Sequence, residues 1–439
     1  MEYSTLPAQQ PRLGWHYFPD PLHYRDTDLT RWLPELQSLG ASWLTLHAPI
    51  DYAIPEPFLS RLINANITPI LHFQTSTTVI HQMSSIKTLL KTYASWGVRY
   101  VMFFDRPNLR KNWSPMGWAQ DRLVERFLDL LIPYFEEALS SHLSPIFPPL
   151  EPGGNYWDTA FLSDAIAGLQ RRGYSKLVNS IALSAYAKAG NRPLNWGAGG
   201  PERWPSSQPY FTPKDSQDQI GFRIFDWYLA VTNAVLGKNL PIFLFGGACK
   251  PGEQTDRQDV PVDAETHTKC HLSIVQALAG EEGDLEPLPH EILACCFSPL
   301  VTSPGHPESS SSWFQMNGAQ LPVVNAMKNW VSSFNPPITN IQTIAGNNNS
   351  HPIAHYLLLT EELWHKLEKT SNFLRDFLQK FKPTIGFSLA EAVYARRVTI
   401  FGDHTIFPDS VVDHLLNSGC LVERILEDGT LIASNSVEP

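Results

Sequence analysis

The sequence predicts an α/β fold: a (β/α)8 TIM barrel followed by a small C-terminal α/β domain. Three observations predict it. Short apolar strands alternate with amphipathic helical stretches eight times. Each strand is nearly continuous in apolar character, as parallel strands covered on both faces are. No GxGxxG follows the first strand, which favours a closed barrel over a doubly wound dinucleotide-binding sheet.

The first strand is expected over Leu13–Phe18. Asp28 reads as the N-cap of a helix that Gly40 closes. Strands follow at Ser42–Ala48 and Thr68–Phe73, with helices near Glu56–Asn64 and Ser85–Trp96. The fourth strand is Arg99–Phe104, and a strongly amphipathic helix, Asp121–Ser140, stands behind it. Ser144–Leu150 and Val178–Tyr186 are the fifth and sixth strands, separated by a helix over Trp157–Arg172. A helix near Asp218–Leu236 leads to the seventh strand, Pro241–Phe245. The helix Ala264–Gly280 precedes the eighth, Glu291–Leu300. The barrel thus spans residues 1–335. Residues 336–350, PPITNIQTIAGNNNS, read as a linker, and 351–439 as the small domain. That domain is expected to hold helices over Thr360–Phe381, Ser388–Arg396 and Ser410–Gly419 and strands over Arg397–Phe401 and Leu421–Leu426. It is short enough to be marginal alone and is expected to dock on the barrel.

Composition narrows the function. Of 439 residues, 43% are hydrophobic and 17% charged, so a large core can form and extended disorder is excluded. The formal charge of −10 and the lack of any Lys/Arg block argue against a nucleic-acid partner. No apolar run is long enough for a transmembrane segment. The N-terminal stretch has neither a basic start nor an apolar run, so a cytoplasmic location is expected unless a leader has been removed. Five cysteines without a CxxC argue against a disulfide framework or a structural zinc site, and Cys295 and Cys296 read as part of a buried strand. No cofactor motif is present. His47 and His72 end strands two and three, but a metal site would also need a His-x-His on the first strand, which offers only His16. They read as polar groups lining the barrel mouth. No GxSxG elbow supports an esterase.

The fourth strand ends in Phe103-Phe104-Asp105-Arg106-Pro107-Asn108, followed by Trp113. The seventh reads Pro241-Ile242-Phe243-Leu244-Phe245-Gly246-Gly247, and the eighth unit carries Trp313-Phe314-Gln315-Met316-Asn317-Gly318 with Pro322 and Ala326–Trp330. In order and spacing, these segments resemble those of the large glycosidase clan that folds as a (β/α)8 barrel with two catalytic glutamates. The resemblance implies that Arg106 stands where that clan has its acid/base, in an Asn-Glu-Pro-Asn stretch, and that Gly246 stands where it has its nucleophile. Arginine donates no proton at neutral pH and glycine offers no nucleophile. The resemblance therefore implies a pseudo-glycosidase that binds carbohydrate without cleaving it by the clan's route.

Two other readings stay open. Asp105 and Glu151, at the ends of strands four and five, could serve as relocated catalytic carboxylates if they stand about 6.5–9.5 Å apart, the inverting range. Alternatively, Asp105 pairs with Arg106 while Glu151 caps a turn. Asp20 is a further carboxylate at the same face. The third reading is a scaffold whose barrel face binds a protein. For a glycan, the expected contacts are Arg106, Asn108, His47, His72, Trp113, Tyr186, Trp196, Trp204 and Trp313. Aromatic faces stack on sugar rings, polar groups orient hydroxyls, and the fork of Arg106 suits an acidic sugar. Tyr156, Trp157, Tyr210 and Phe211 crowd the same loops, where they either bind or pin those loops down. In the small domain, Arg397-Val398-Thr399-Ile400-Phe401-Gly402-Asp403 and Val422-Glu423-Arg424-Ile425 resemble half of a bacterial cell-wall-binding repeat. A structural docking role is the simpler expectation for it.

Overall fold

The computed structural model describes residues 12–79, 82–257, 259–303, 305–334, 353–360, 363–364, 372–381, 383–426 and 431–432. The chain divides into two compact units, residues 1–337 and 338–439. The linker expected over 336–350 lies outside the described residues.

The first unit is a (β/α)8 barrel. Its strands are β1 (Leu13–His16), β2 (Trp43–His47), β3 (Thr68–Phe73), β4 (Tyr100–Phe103), β5 (Ser144–Ile146), β6 (Leu183–Lys188), β7 (Ile242–Ala248) and β8 (Ile292–Pro299). They pair in parallel in the order β5-β4-β3-β2-β1-β8-β7-β6. A parallel bridge between Ile146 and Ala182, the residue before β6, joins the two ends of that order. Two hydrogen bonds make this closure, Ala182 N to the Pro145 carbonyl (3.2 Å) and Phe147 N to that of Ala182 (2.8 Å). β5 stops at Ile146, short of the expected Leu150, because Pro148 and Pro149 have no N–H to continue the ladder.

Side chains alternate across each strand. Trp43, Ile70, Met102, Ile146, Ala182, Phe243, Phe245, Ala294 and Cys296 fill the interior. Leu44, Leu46, Leu71, Val101, Leu183, Ala185, Ile242 and Leu244 face the surrounding helices. Trp43 fits because its neighbour is Gly14: a Cβ on Gly14 would stand 2.8 Å from both the Trp43 Cβ and the Cys296 sulfur. Cys295 and Cys296 are fully buried in β8, as the apolar run predicts. Burial raises both thiols, Cys296 to about 12.

The helices follow the expected order with shifted ends. The first covers Asp26–Ser38. Asp28 is not its N-cap but its third residue, where the carboxylate accepts the Arg25 N–H in a capping box. The helix expected from Asp218 begins at Ile224. Asp218 instead collects bonds from Arg192, Trp196, Thr212 and the Ile220 N–H, which hold a loop. Val178, expected to start the sixth strand, instead ends a helical turn over Ser175–Val178.

The second unit is a sheet of β11 (Ile353–Leu358), β12 (Thr384–Gly386), β13 (Ala395–Phe401), β14 (Leu421–Ile425) and β15 (Leu431–Ile432), β9 (Val301–Thr302) and β10 (Phe314–Gln315) forming a small ladder in the first. The order is β12-β11-β13-β14-β15, parallel except for β14 with β15. Helices Asn372–Phe381, Leu389–Ala392 and Asp409–Asn417 accompany it. Residues 365–371 of the helix expected over Thr360–Phe381 lie outside the described residues. Arg424 is 4% exposed and donates to the carbonyls of Gly402 (3.4 Å) and Phe407 (2.8 Å). Arg424 thus ties down the turn after β13. Among the described residues no helix is long and apolar enough to cross a membrane.

Candidate binding site at the barrel mouth

The same alternation that fills the barrel delivers polar groups to its carboxyl end. Stepping by two from interior positions leads from Trp43 and Thr45 to His47, from Ile70 to His72, and from Ser184 to Tyr186 and Lys188. His16 ends β1 and meets Phe245 edge-on, with ring centroids 5.2 Å apart. His47 and His72 lie 5.9 Å apart by centroids. His72 Nε2 is 2.8 Å from the Phe104 carbonyl, which can only accept, so this nitrogen carries the proton.

Burial, then mutual proximity, holds these histidines neutral. His16 falls to about 3, where desolvation acts together with His47 and His72; His47 falls to about 4 for the same first reason; His72 is also lowered.

After β4 the backbone turns sharply. Phe104 and Arg106 both adopt positive φ, 65° and 46°, a conformation that costs about 1–3 kcal/mol in a non-glycine residue. The turn sends two successive side chains, Asp105 and Arg106, back over the mouth. Arg106 Nε donates to Asp105 Oδ2 (3.0 Å), and Nη1 reaches Glu151 Oε2 (3.4 Å). Tyr186 donates from its hydroxyl to Asp105 Oδ1 (2.7 Å), and the Arg106 guanidinium lies 4.8 Å from the Tyr186 ring centre. Desolvation alone would lower Arg106, but Tyr186, Asp105 and Glu151 outweigh it and raise it above the ordinary arginine value. Asn112 fixes the turn by donating to the carbonyls of Asp105 and Arg106.

The ion-pair reading of Asp105 is therefore the observed one, and Glu151 shares the same guanidinium. Its backbone carbonyl also accepts from Gly154 N, closing the expected turn.

Gly246 also reaches the mouth, through its φ of 57°. Phe245 points inward, so regular alternation would turn residue 246 towards the helices. Instead a Cβ built on Gly246 meets Tyr186 Cδ1 and Lys188 Cε, both at 3.8 Å, while one on Gly247 runs into the Cys295 sulfur at 2.4 Å.

The expected sugar contacts divide. Arg106, His47, His72 and Tyr186 line the mouth. Asn108 is fully buried, and its amide clamps two loops by bonding Glu151 N, the Glu151 carbonyl and the Tyr156 carbonyl. Trp313 is a correction: it is fully enclosed between Trp15, His271 and Phe297 and has no face left for a ligand. Three further aromatics are pinned within their loops. Trp113 donates to Pro107 O under Arg126; Trp196 donates to Asp218 under Arg192; Trp204 donates to Ala198 O. Trp157 packs on Tyr210, whose hydroxyl accepts from the Trp157 N–H.

Lys188 and Gln74 are mouth residues that the sequence reading missed. One more step of two beyond Tyr186 would have found Lys188. A cavity of about 380 Å³ opens beside His47 and His72, bounded by Pro21, Ile50, Gln74 and Ser76. A larger one of about 780 Å³ lies outside the barrel along helix Ala264–Ala279 and contains none of these groups. The smaller one adjoins the mouth histidines, and its volume is within the range of small-ligand pockets.

No family model matches the chain, and no curated protein is similar to it. Solved structures with a similar architecture include a monomeric β-xylosidase from Caulobacter crescentus (12% identity, 74% of this chain and 68% of that one, TM-score 0.45). The GH39 enzyme from Xanthomonas axonopodis pv. citri gives 14%, 74%, 66% and 0.44. Xylanase 10B from Thermotoga petrophila gives 12%, 74%, 95% and 0.44. The barrel assignment rests on strand order and closure, and no residue's role is carried over from these proteins.

Proposed function

We infer that the protein is a non-catalytic glycan-binding barrel whose ligand lies across the carboxyl-terminal mouth. The observation that carries the non-catalytic part is the single guanidinium of Arg106, which engages Asp105 at 3.0 Å and Glu151 at 3.4 Å. Retaining or inverting hydrolysis needs two separately acting carboxyls, one of them protonated. With Gly246 lacking a side chain, the mouth offers no substitute at β7. Binding is supported by the polar groups that the concave mouth presents: neutral histidines, Gln74, Lys188 and the cavity beside His47. Such a mixture of hydrogen-bonding groups in a pocket suits a polyhydroxylated ligand.

The test pairs two measurements on the full chain. Aryl β-xyloside and β-glucoside should show no turnover. Calorimetric titration with xylo-, gluco- and uronic-acid oligomers should show binding that weakens at least several-fold in His47→Ala and Gln74→Ala. Turnover lost in Asp105→Asn or Glu151→Gln would establish the hydrolase instead. Binding to no glycan would leave the protein-binding scaffold as the better account.

A further inference from the structure

Lys188 occupies the last inward position of β6. The pairing with β7 shifts register there, from Tyr186 opposite Phe245 to Lys188 opposite Ala248. Its ammonium stands 4.8 Å from the Tyr186 ring centre. Among the described residues it makes no hydrogen bond and no ion pair, whereas the other mouth cations are paired. Arg106 is held by Asp105 and Glu151, and Lys250 lies 3.9 Å from Glu308.

Residue 246, beside Lys188, is a glycine. A Cβ there would make ordinary contact, at 3.8 Å, with both the Lys188 Cε and the Tyr186 Cδ1. An acidic side chain at this position would supply the lysine with a partner. The chain instead leaves a partly desolvated cation next to a residue without a side chain, an arrangement that costs free energy until an anion arrives. Burial, opposed by Glu151 and Glu253 and reinforced by Arg106 and Lys250, lowers the lysine.

Building on the glycan-binding reading, we propose that Lys188, beside Gly246, forms an anion subsite that selects a sugar bearing a carboxylate, a uronic acid. One unpaired ammonium matches one negative charge. The anion-reading role expected of Arg106 thus passes to Lys188, because the fork of Arg106 is already filled from within the chain.

The test needs no variant at first. The full chain is titrated with trigalacturonate, with its fully methyl-esterified form and with a sulfated trisaccharide, each at low and at raised salt. The acid should bind about tenfold or more tightly than the ester, a gap that narrows with salt. Lys188→Met, checked for an unchanged melting temperature, should bring acid and ester to parity, and Lys188→Arg should restore part of the preference. Equal binding of acid and ester overturns the anion subsite and leaves the glycan reading standing. An acid preference that survives Lys188→Met overturns the assignment to Lys188. Tighter binding of the sulfated probe overturns the carboxylate. Binding of neither these probes nor any neutral oligomer removes the glycan reading itself.

Discussion

Asp105 and Arg106, neighbours in the chain, form an ion pair with each other: Arg106 Nε lies 3.0 Å from Asp105 Oδ2. Adjacent side chains in an extended strand point to opposite faces, so the pair exists only because φ is positive at Phe104 and Arg106. The turn and the pair sustain each other, and this shapes what substitution will do.

Removing the carboxylate should destabilise the barrel. Asp105→Ala leaves the Arg106 guanidinium with only the longer contact to Glu151 and the Tyr186 hydroxyl without its acceptor. The expected loss is about 2–4 kcal/mol in urea denaturation. Tyr186→Phe, which removes one hydrogen bond to a charged group, should cost about 1.5–3 kcal/mol. An unchanged denaturation midpoint in both would show that the network does not stabilise the mouth.

Introducing a carboxylate at residue 246 should not create an enzyme. A Cβ at residue 246 makes only ordinary contacts, so the main cost of Gly246→Glu is the backbone at φ 57°, about 1–2 kcal/mol. Its carboxylate would pair with Lys188, and uronate binding should be lost. Combining it with Arg106→Glu also strips Asp105 and Glu151 of their shared cation. The double variant is expected to be less stable than either single one and to show no aryl-glycoside turnover. Hydrolysis by it would show that carboxylates at these two positions suffice for turnover.

Acid should weaken the fold earlier than carboxylate titration would. His16 and His271 are lowered to about 3, and His47 and His267 to about 4, all chiefly by burial. The unfolded chain takes up these protons near pH 6.5 and the folded chain does not, so the unfolded state binds more protons across the interval. Stability is therefore full above about pH 6.5 and falls as pH drops towards 4, by up to about 1.4 kcal/mol per unit for each histidine. Urea midpoints at pH 7.5, 6.5 and 5.5 check this. His271→Gln should flatten the slope, and a midpoint constant down to pH 5 would contradict it.

Trp313 separates folding from binding. Trp313→Ala should cost about 3–5 kcal/mol, because the ring is fully enclosed. Trp313→Phe should fold, and its glycan affinity should match the unaltered chain. An affinity change in the phenylalanine variant without a change in melting would return this residue to the site.

The barrel was legible because its signal is periodic. Eight apolar runs between helical patterns place β1 to β8 to within a few residues, and the misses have local causes such as the prolines after Ile146. The mouth was legible where strand ends were placed correctly, as at His47, His72, Asp105 and Arg106. Lys188 escaped because the sixth strand was expected to end at Tyr186, and a lysine after an apolar run reads as a loop. The aromatic loops misled for a different reason. Tryptophan density marks both sugar platforms and loop anchors, and only hydrogen bonds such as those of Trp113 and Trp204 tell them apart. Trp313 follows the eighth strand as a binding residue would, yet the ladder of β9 with β10 folds it inward.

The single bridge between Ile146 and Ala182 has a mechanical consequence. The barrel behaves as a hoop with one weak joint, and the mouth residues stand on its two lips: Asp105, Arg106 and Glu151 on one side, Tyr186 and Lys188 on the other. The Tyr186–Asp105 bond spans the joint, passing over the three-residue β5. A ligand gripping both lips would act as a second clasp. Its arrival would be readable below the mouth as slower amide hydrogen exchange at Phe147 and Ala182, whose N–H groups make the joint.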